Sequence, residues 1–243
     1  MDFSSLHHRG AAGTITHQVL RAPLLLGHRG ARASSVPENT LASFDLALAH
    51  GCNGFEFDVR LAACGCAVVC HDAEFHGVPV SEIYDAKAVN LPTLQDVLAG
   101  FSNRAFLDIE LKVPGLCSEL LLALRENPPE HGFVVSSFLP EVLFDVNTRT
   151  SETPLGFICD NKKHLPLWRE LPIQYVMAQQ SLIDRELVHD VHDSGKFLFA
   201  WTVNDQASMQ RFADWEVDGI ISDKTELLVK TLWPPQKGTA EQR

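Results

Sequence analysis

The sequence predicts a single-domain α/β fold: a (β/α)8 barrel of the TIM type, with a short β-hairpin arm after the second strand and little other insertion. Three observations predict it. Short apolar runs alternate with helical stretches along nearly the whole chain, the order that parallel strands with crossover helices require. The chain has 243 residues, close to the ~250 that such a barrel typically uses. Nine strand candidates reduce to eight staves once two of them, too close for a parallel crossover, are folded into a hairpin.

The first run, residues 24–27, precedes a helix expected over 40–50. Runs at 54–59 and 67–70 follow, separated only by residues 60–66, where Gly65 can turn the chain. They are expected to pair antiparallel about Ala63 and Cys64, which sets Asp58 opposite Val69 and Glu56 opposite His71. Thr93 reads as the cap of a helix through Leu98, its hydroxyl satisfying a free helix N–H. Further strands are expected at 106–111, 133–137, 155–159, 175–178, 197–203 and 219–222. Helices are expected between and after them at 117–126, 141–148, 165–170, 184–193, 205–213 and 225–232. Residues 1–22 and 234–243 read as polar, Gly- and Pro-containing tails around a domain at 23–233. An open doubly wound sheet is the competing architecture. The turn after the first strand, Gly27-His28-Arg29-Gly30-Ala31, lacks the Gly-x-Gly-x-x-Gly loop that such sheets often carry.

Composition narrows the partners. Apolar residues make up 45% of the chain, enough for a sizeable core, and the formal charge is -11. A nucleic-acid polyanion is repelled by that field, whereas a small anionic substrate is admissible where a metal reverses the local charge. No apolar run reaches the ~18 residues that span a bilayer. The first ten residues hold no basic segment followed by an apolar core, so a cytoplasmic location is expected. Six cysteines are sparse for a disulfide scaffold. Cys64, Cys66 and Cys70 have the spacing of a partial soft-metal site, but structural zinc usually takes four ligands in paired spacing. Small, buried, reduced thiols are the plainer expectation.

The chemistry concentrates in a few side chains. Glu56 and Asp58 lie two apart in an apolar strand and so share one face. Two like charges in a core cost several kcal/mol unless neutralised. Either a hard cation such as Mg²⁺ or Ca²⁺ does this, or each carboxylate pairs with an Arg or Lys. Glu110 and Lys112 repeat the spacing on the strand expected to neighbour the first. Glu110 can join a three-carboxylate cluster at the C-terminal mouth, where barrel active sites lie, or pair with Lys112 across the rim. Asp108 shares the alternation, one pleat deeper. His28 ends the first strand and His71 ends the returning arm. Imidazole both takes and gives protons near neutral pH, and phosphodiester cleavage needs both acts. Arg29 and Lys112 can hold phosphate oxygens; Arg29 can instead pair with Glu38 or Asp72. The near-copy His8-Arg9-Gly10-Ala11 lacks a preceding strand and is not expected to be catalytic. His7, His17, His50, His76, His131, His164 and the helical pair His189 and His192 read as surface or loop residues.

These segments together resemble the glycerophosphodiester phosphodiesterases. The matching stretches are GHRGA at 27–31, PENTLASFDLAL at 37–48, GFEFDVRL at 54–61, VVCHD at 68–72, LPTLQDVL at 91–98 and LDIELK at 107–112. VVSSF at 134–138, AWTVND at 200–205 and DGIISD at 218–223 complete them. The resemblance implies a TIM barrel with a divalent metal, Mg²⁺ or Ca²⁺, hydrolysing glycerophosphodiesters to glycerol 3-phosphate and an alcohol. By position, Glu56, Asp58 and Glu110 resemble the metal ligands and His28 and His71 the acid/base pair. Arg29 and Lys112 resemble phosphate contacts, and Trp201 the aromatic on the glycerol side. Asn39 matches a motif position, with packing or support of the ligands as its expected role. Two departures stand out. The family's Asp-Gly turn reads Cys64-Gly65, and its longer Gly-rich insertion is replaced by Phe75-His76-Gly77-Val78, which bears on substrate identity more than on reaction class. Two other readings remain open: a related barrel phospholipase acting on lysophospholipids or phosphoinositides, and a non-catalytic barrel that binds phosphate esters.

Overall fold

A computed structural model describes residues 22–233. In chain order its strands are β1 (Leu24–His28), β2 (Gly54–Leu61), β3 (Ala67–Val69), β4 (Glu74–Phe75), β5 (Val78–Pro79), β6 (Phe106–Leu111), β7 (Phe133–Ser137), β8 (Leu155–Cys159), β9 (Tyr175–Gln179), β10 (Phe197–Trp201) and β11 (Gly219–Ser222). Eight of them, β1, β2 and β6 to β11, pair in parallel in sequence order. β1 closes the ring by pairing with both β2 and β11. This is the expected barrel. The ninth strand of the sheet, β3, returns antiparallel along the upper half of β2. Residues 1–21, with the His8 near-copy, His7 and His17, and residues 234–243 lie outside the described residues, whose helices include none long and apolar enough to cross a membrane.

The helices are α1 (Leu41–Ala49), α2 (Leu94–Phe101), α3 (Cys117–Glu126), α4 (Pro140–Arg149), α5 (Arg185–Asp193), α6 (Gln206–Asp214) and α7 (Thr225–Leu232). Thr40, Thr93, Asp184 and Asp205 each cap a helix by accepting a backbone N–H in its first turn, which is why polar residues mark these starts. The helix expected at 165–170 is instead a single 3-10 turn, Leu165–Arg169. Pro166 sits in its first turn, where proline is tolerated, and Pro172 disfavours helical backbone at Leu171 and so stops it.

Alternation along the strands builds two cores. Outward residues such as Phe55, Phe57, Val59, Leu107 and Ile109 pack under the helices. Phe44 of α1 stacks on Phe55 with ring centroids 4.2 Å apart. Inward residues Leu26, Phe106, Val134, Met177, Phe199 and Ile221 fill the lower barrel. The upper interior is left to polar side chains.

The hairpin between β2 and β3 differs from expectation by one residue. Ala62 and Cys66 close a three-residue loop, Ala63-Cys64-Gly65, in which Gly65 takes φ +79°. A left-handed third residue is the usual geometry for that loop length. The centre of the hairpin therefore falls on Cys64, and Val59, not Asp58, faces Val69. His71 lies beyond the paired segment, so it is not opposite Glu56; its carbonyl accepts a 2.8 Å hydrogen bond from Arg60 Nε. The thiols also depart from expectation. Cys64 and Cys66 are joined as a disulfide at the turn, while Cys70 is buried and free, so the three do not converge. Phe75-His76-Gly77-Val78 forms a tight hairpin with φ of 51° at His76 and 80° at Gly77, the positive pair that a two-residue turn demands.

Gly30 seats the β1–α1 loop on α1. It takes φ +79°, and an added Cβ would lie 2.6 Å from the Ser43 carbonyl carbon. Gly30→Ala is expected to destabilise the protein by at least ~2 kcal/mol, through backbone strain and overpacking together. Urea denaturation checks it; an unchanged midpoint would show that the loop tolerates the shift.

Candidate active site

The C-terminal mouth of the barrel opens into a cavity of ≈ 230 Å³. β2 and β6 pair so that Glu56 sits beside Asp108 and Asp58 beside Glu110. Four buried carboxyls thus occupy adjacent positions on one inward face. Ligand oxygens of Glu56, Asp58 and Glu110 all lie within 4.8 Å of one another. The expected cluster therefore forms, and so do the competing ion pairs: Lys112 Nζ is 2.6 Å from Glu110 Oε1 and 3.3 Å from Asp58 Oδ1.

Two cations do not balance this group. Burial, with added repulsion from Asp58, Glu110 and Asp108, pushes the Glu56 carboxyl well above its usual range. Burial and Asp58 push Glu110 up to about 7 against the pull of Lys112. Burial raises Asp108 to about 8, opposed by its hydrogen bond from Ser136 and reinforced by Glu110 and Asp58. Asp58 alone goes down: burial raises it, but Lys112, Arg29 and the Asn39 amide together outweigh that. Glu56 Oε1 is buried without a hydrogen-bond partner, and Asp58 Oδ1 has only the 3.3 Å ion pair with Lys112. Such under-satisfied carboxylate oxygens within reach of one another fit a hard divalent cation, which favours oxygen ligands and removes the desolvation cost that lone charges carry.

The loop after β1 supplies the opposing wall. Arg29 has φ 52°, a region unfavourable for residues other than Gly. In it the Arg29 N–H donates to Glu56 Oε2 at 2.9 Å. Its guanidinium lies 3.2 Å from Asp58 Oδ2 through Nε and 2.7 Å from Glu38 Oε1 through Nη1. Arg29 therefore makes the alternative pair with Glu38 and still lines the cavity. Asn39, with φ 56°, donates Nδ2 to Asp58 Oδ2 at 2.8 Å and accepts the Asp58 N–H at 3.3 Å. It touches a cluster carboxylate directly.

His28 and His71 both line the cavity. His28 Nδ1 is 2.7 Å from Asp223 Oδ1, and its Nε2 is 3.8 Å from Glu56 Oε2. His71 Nδ1 is 2.7 Å from Asp72 Oδ1. The two dyads differ in setting. His28 and Asp223 side chains are 14% and 17% exposed, those of His71 and Asp72 36% and 79%. Asp223 also accepts from Asn204 Nδ2 at 2.6 Å, and although burial raises it, His28 and Asn204 hold it down at about 2. Trp201 lines the opposite side, anchored by Nε1 donating to the Met177 carbonyl at 2.9 Å and packed edge-on to Phe138. Every residue singled out for the site is thus at or beside the cavity. Asp223, Asn204 and Ser136 were not anticipated as partners. Barrel closure offers a signal for Asp223, because the last strand pairs with the first and Ser222 faces Gly27. The pair His189 and His192 forms no second cluster: His189 is exposed and His192 faces Asp218 at 2.8 Å.

The chain is similar to known proteins in sequence and fold. The model of the glycerophosphoryl diester phosphodiesterase family matches residues 28–227. A glycerophosphodiester phosphodiesterase of Caldanaerobacter subterraneus subsp. tengcongensis is 29% identical over 236 residues, covering 85% of this chain and 96% of that protein. Among solved structures, a glycerophosphodiester phosphodiesterase of Thermotoga maritima superposes with a TM-score of 0.74 at 26% identity, covering 86% of this chain and 98% of that one. An Oleispira antarctica phosphodiesterase, solved with the product sn-glycerol-3-phosphate, shares the fold with a TM-score of 0.74 at 23% identity, covering 86% and 96%.

Proposed function

The chain belongs to the glycerophosphoryl diester phosphodiesterase family, and from that premise we propose that it hydrolyses glycerophosphodiesters to glycerol 3-phosphate and an alcohol, with a divalent cation and two histidines. One observation carries the reading: of three carboxylates with oxygens within 4.8 Å of one another, Glu56 and Glu110 line a cavity that two carboxylate-bound histidines also line. Glu56, Asp58 and Glu110 would hold Mg²⁺ or Ca²⁺, whose positive charge offsets the charge that builds on the phosphoryl oxygens.

The residues of the chain do the rest. Lys112 and Arg29 bind non-bridging phosphate oxygens. His28 is the base. With Asp223 on Nδ1, its neutral tautomer presents an unprotonated Nε2, and the half-buried carboxylate stabilises the imidazolium once it forms. Nε2 takes the proton from the attacking oxygen, either the glycerol 2-hydroxyl or water. His71 is the acid. It stands at the solvent side of the cavity, where the alcohol departs, and gives the leaving alkoxide a proton. Attack by the 2-hydroxyl yields a cyclic phosphate, which a second step opens. Turnover of 3-hydroxypropyl phosphocholine, which lacks the 2-hydroxyl, at the rate of glycerophosphocholine would exclude that route.

At ≈ 230 Å³ the cavity is below the ~300–1,000 Å³ of sites that enclose a drug-sized ligand. It takes the glycerol phosphate half and leaves the second alcohol outside. Glycerophosphocholine is therefore the expected substrate over lysophosphatidylcholine. Turnover of neither by protein supplied with Mg²⁺ or Ca²⁺ would overturn the reading.

Asn39 serves as the residue that orients Asp58. Asn39→Ala is expected to weaken cation affinity by ~10–100-fold while the barrel still folds. Calorimetric titration with Mg²⁺ or Ca²⁺ checks it, and an unchanged affinity would leave Asn39 a packing residue.

A further inference from the structure

The mechanism above leaves one polar pair in the cavity unused. Asp108 lines the floor, beside Glu56 and one pleat below Glu110. It is 1% exposed and stands outside the three-carboxylate cluster. The fully buried Ser136 donates its Oγ–H to Asp108 Oδ1 at 2.5 Å. Among the described residues none donates to Oδ2. The neighbouring floor is apolar: Ile158, Met177 and Ile221 line it. A deep site with hydrocarbon walls and one hydrogen-bonding carboxyl oxygen suits the carbon skeleton of a small polyol carrying one hydroxyl at its far end.

We propose that Asp108, aimed by Ser136, is a specificity-determining residue that selects a glycerol alcohol through a hydrogen bond between its Oδ2 and the primary hydroxyl remote from the phosphate. The inference rests on the hydrolase reading and adds to it which alcohol enters the deep end. A substrate lacking that hydroxyl leaves a buried polar group unpaired, and sites of this kind reject such analogues strongly.

The test compares kcat/KM on glycerophosphocholine and on its deoxy analogue 2-hydroxypropyl phosphocholine, which keeps the 2-hydroxyl but lacks the terminal one. The wild-type chain with Mg²⁺ is expected to prefer glycerophosphocholine by ~10–100-fold. Asp108→Leu, close in volume and matched to the apolar floor, is expected to bring the ratio near one, and Ser136→Ala to lower it partly. Any general damage to the nearby cluster slows both substrates alike and cancels in the ratio. A wild-type ratio near one overturns the proposal even if neither variant folds. So does a preference that survives in Asp108→Leu. Wild-type protein inactive on both substrates overturns the hydrolase reading instead, and this inference with it.

Discussion

Chelation of divalent cations is expected to lower turnover of glycerophosphocholine by at least ~1,000-fold and to make the stability of the protein fall as pH rises from about 4.5 to about 8. The pH term follows from the raised carboxyls. Glu110 goes from 4.5 to about 7 on folding and Asp108 from 3.8 to about 8, and Glu56 moves the same way. Between the unfolded and folded values the native state binds more protons than the unfolded state, so stability declines with rising pH. Asp58 and Asp223 shift downward and act oppositely, but only in acid, below the usual carboxylate range. Across pH 5–8 the raised group dominates. A cation on Glu56, Asp58 and Glu110 holds them ionised and flattens the slope, while Asp108 keeps its own. At a concentration 100 times its Kd the cation adds ~2.7 kcal/mol, about 5–10 °C in Tm for a domain of this size. Glu56→Gln should separate the two effects, binding cation poorly yet melting higher than the metal-free wild type, because one repelling charge is gone. Thermal melts with and without EDTA across that pH range, with Mg²⁺ or Ca²⁺ added back singly, measure all of this. Full turnover in EDTA, or a stability flat in pH, would sink the cation reading.

Local signals were enough for most of the barrel. The strand at 106–111 and the helices at 117–126 and 225–232 coincide with β6, α3 and α7, because apolar alternation and polar caps act over a few residues. The misses are non-local or sit at irregular backbone. The register of β2 and β3 turned on whether the loop holds an even or odd number of residues, and one residue flips the facing pairs. The helix expected over 165–170 failed because Pro172 stops it after a single turn. In the site, residue types and shared faces were legible from spacing within β2 and β6. The assignment of Nδ1 partners was not equally so. Asp72 is adjacent to His71 in sequence, whereas Asp223 reaches His28 across 195 positions. Spacing also left ion pairing and a metal as rivals for Glu56 and Asp58. The structure contains both features: Lys112 and Arg29 sit on Asp58, yet Glu56 Oε1 beside it stays without a partner.

His28→Ala and His71→Ala are expected to lower kcat on glycerophosphocholine by ~100–10,000-fold each, and the identity of the leaving group should tell them apart. A 4-nitrophenyl diester of glycerol phosphate expels a stable phenolate that needs no proton in the transition state. Loss of the acid then costs little, so His71→Ala should approach wild-type rates on that substrate. Loss of the base is not relieved by a better leaving group, so His28→Ala should stay slow on both. Rescue of His28→Ala and not His71→Ala would exchange the two assignments. Neither imidazole belongs to the carboxylate cluster, so cation affinity measured by calorimetry should hold in both variants and separate a chemical loss from an empty site. The partners extend the same logic. Asp223 is half-buried and hydrogen-bonded to both His28 and Asn204, so Asp223→Asn frees the His28 ring to take the wrong tautomer and should cost more than ~10-fold in kcat. Asp72 is 79% exposed; water substitutes for it readily, and Asp72→Asn should cost less than Asp223→Asn. Equal losses from the two would mean that the more enclosed setting of the His28 dyad does not hold its ring better than water holds that of His71, and would remove the physical ground for placing the base on β1.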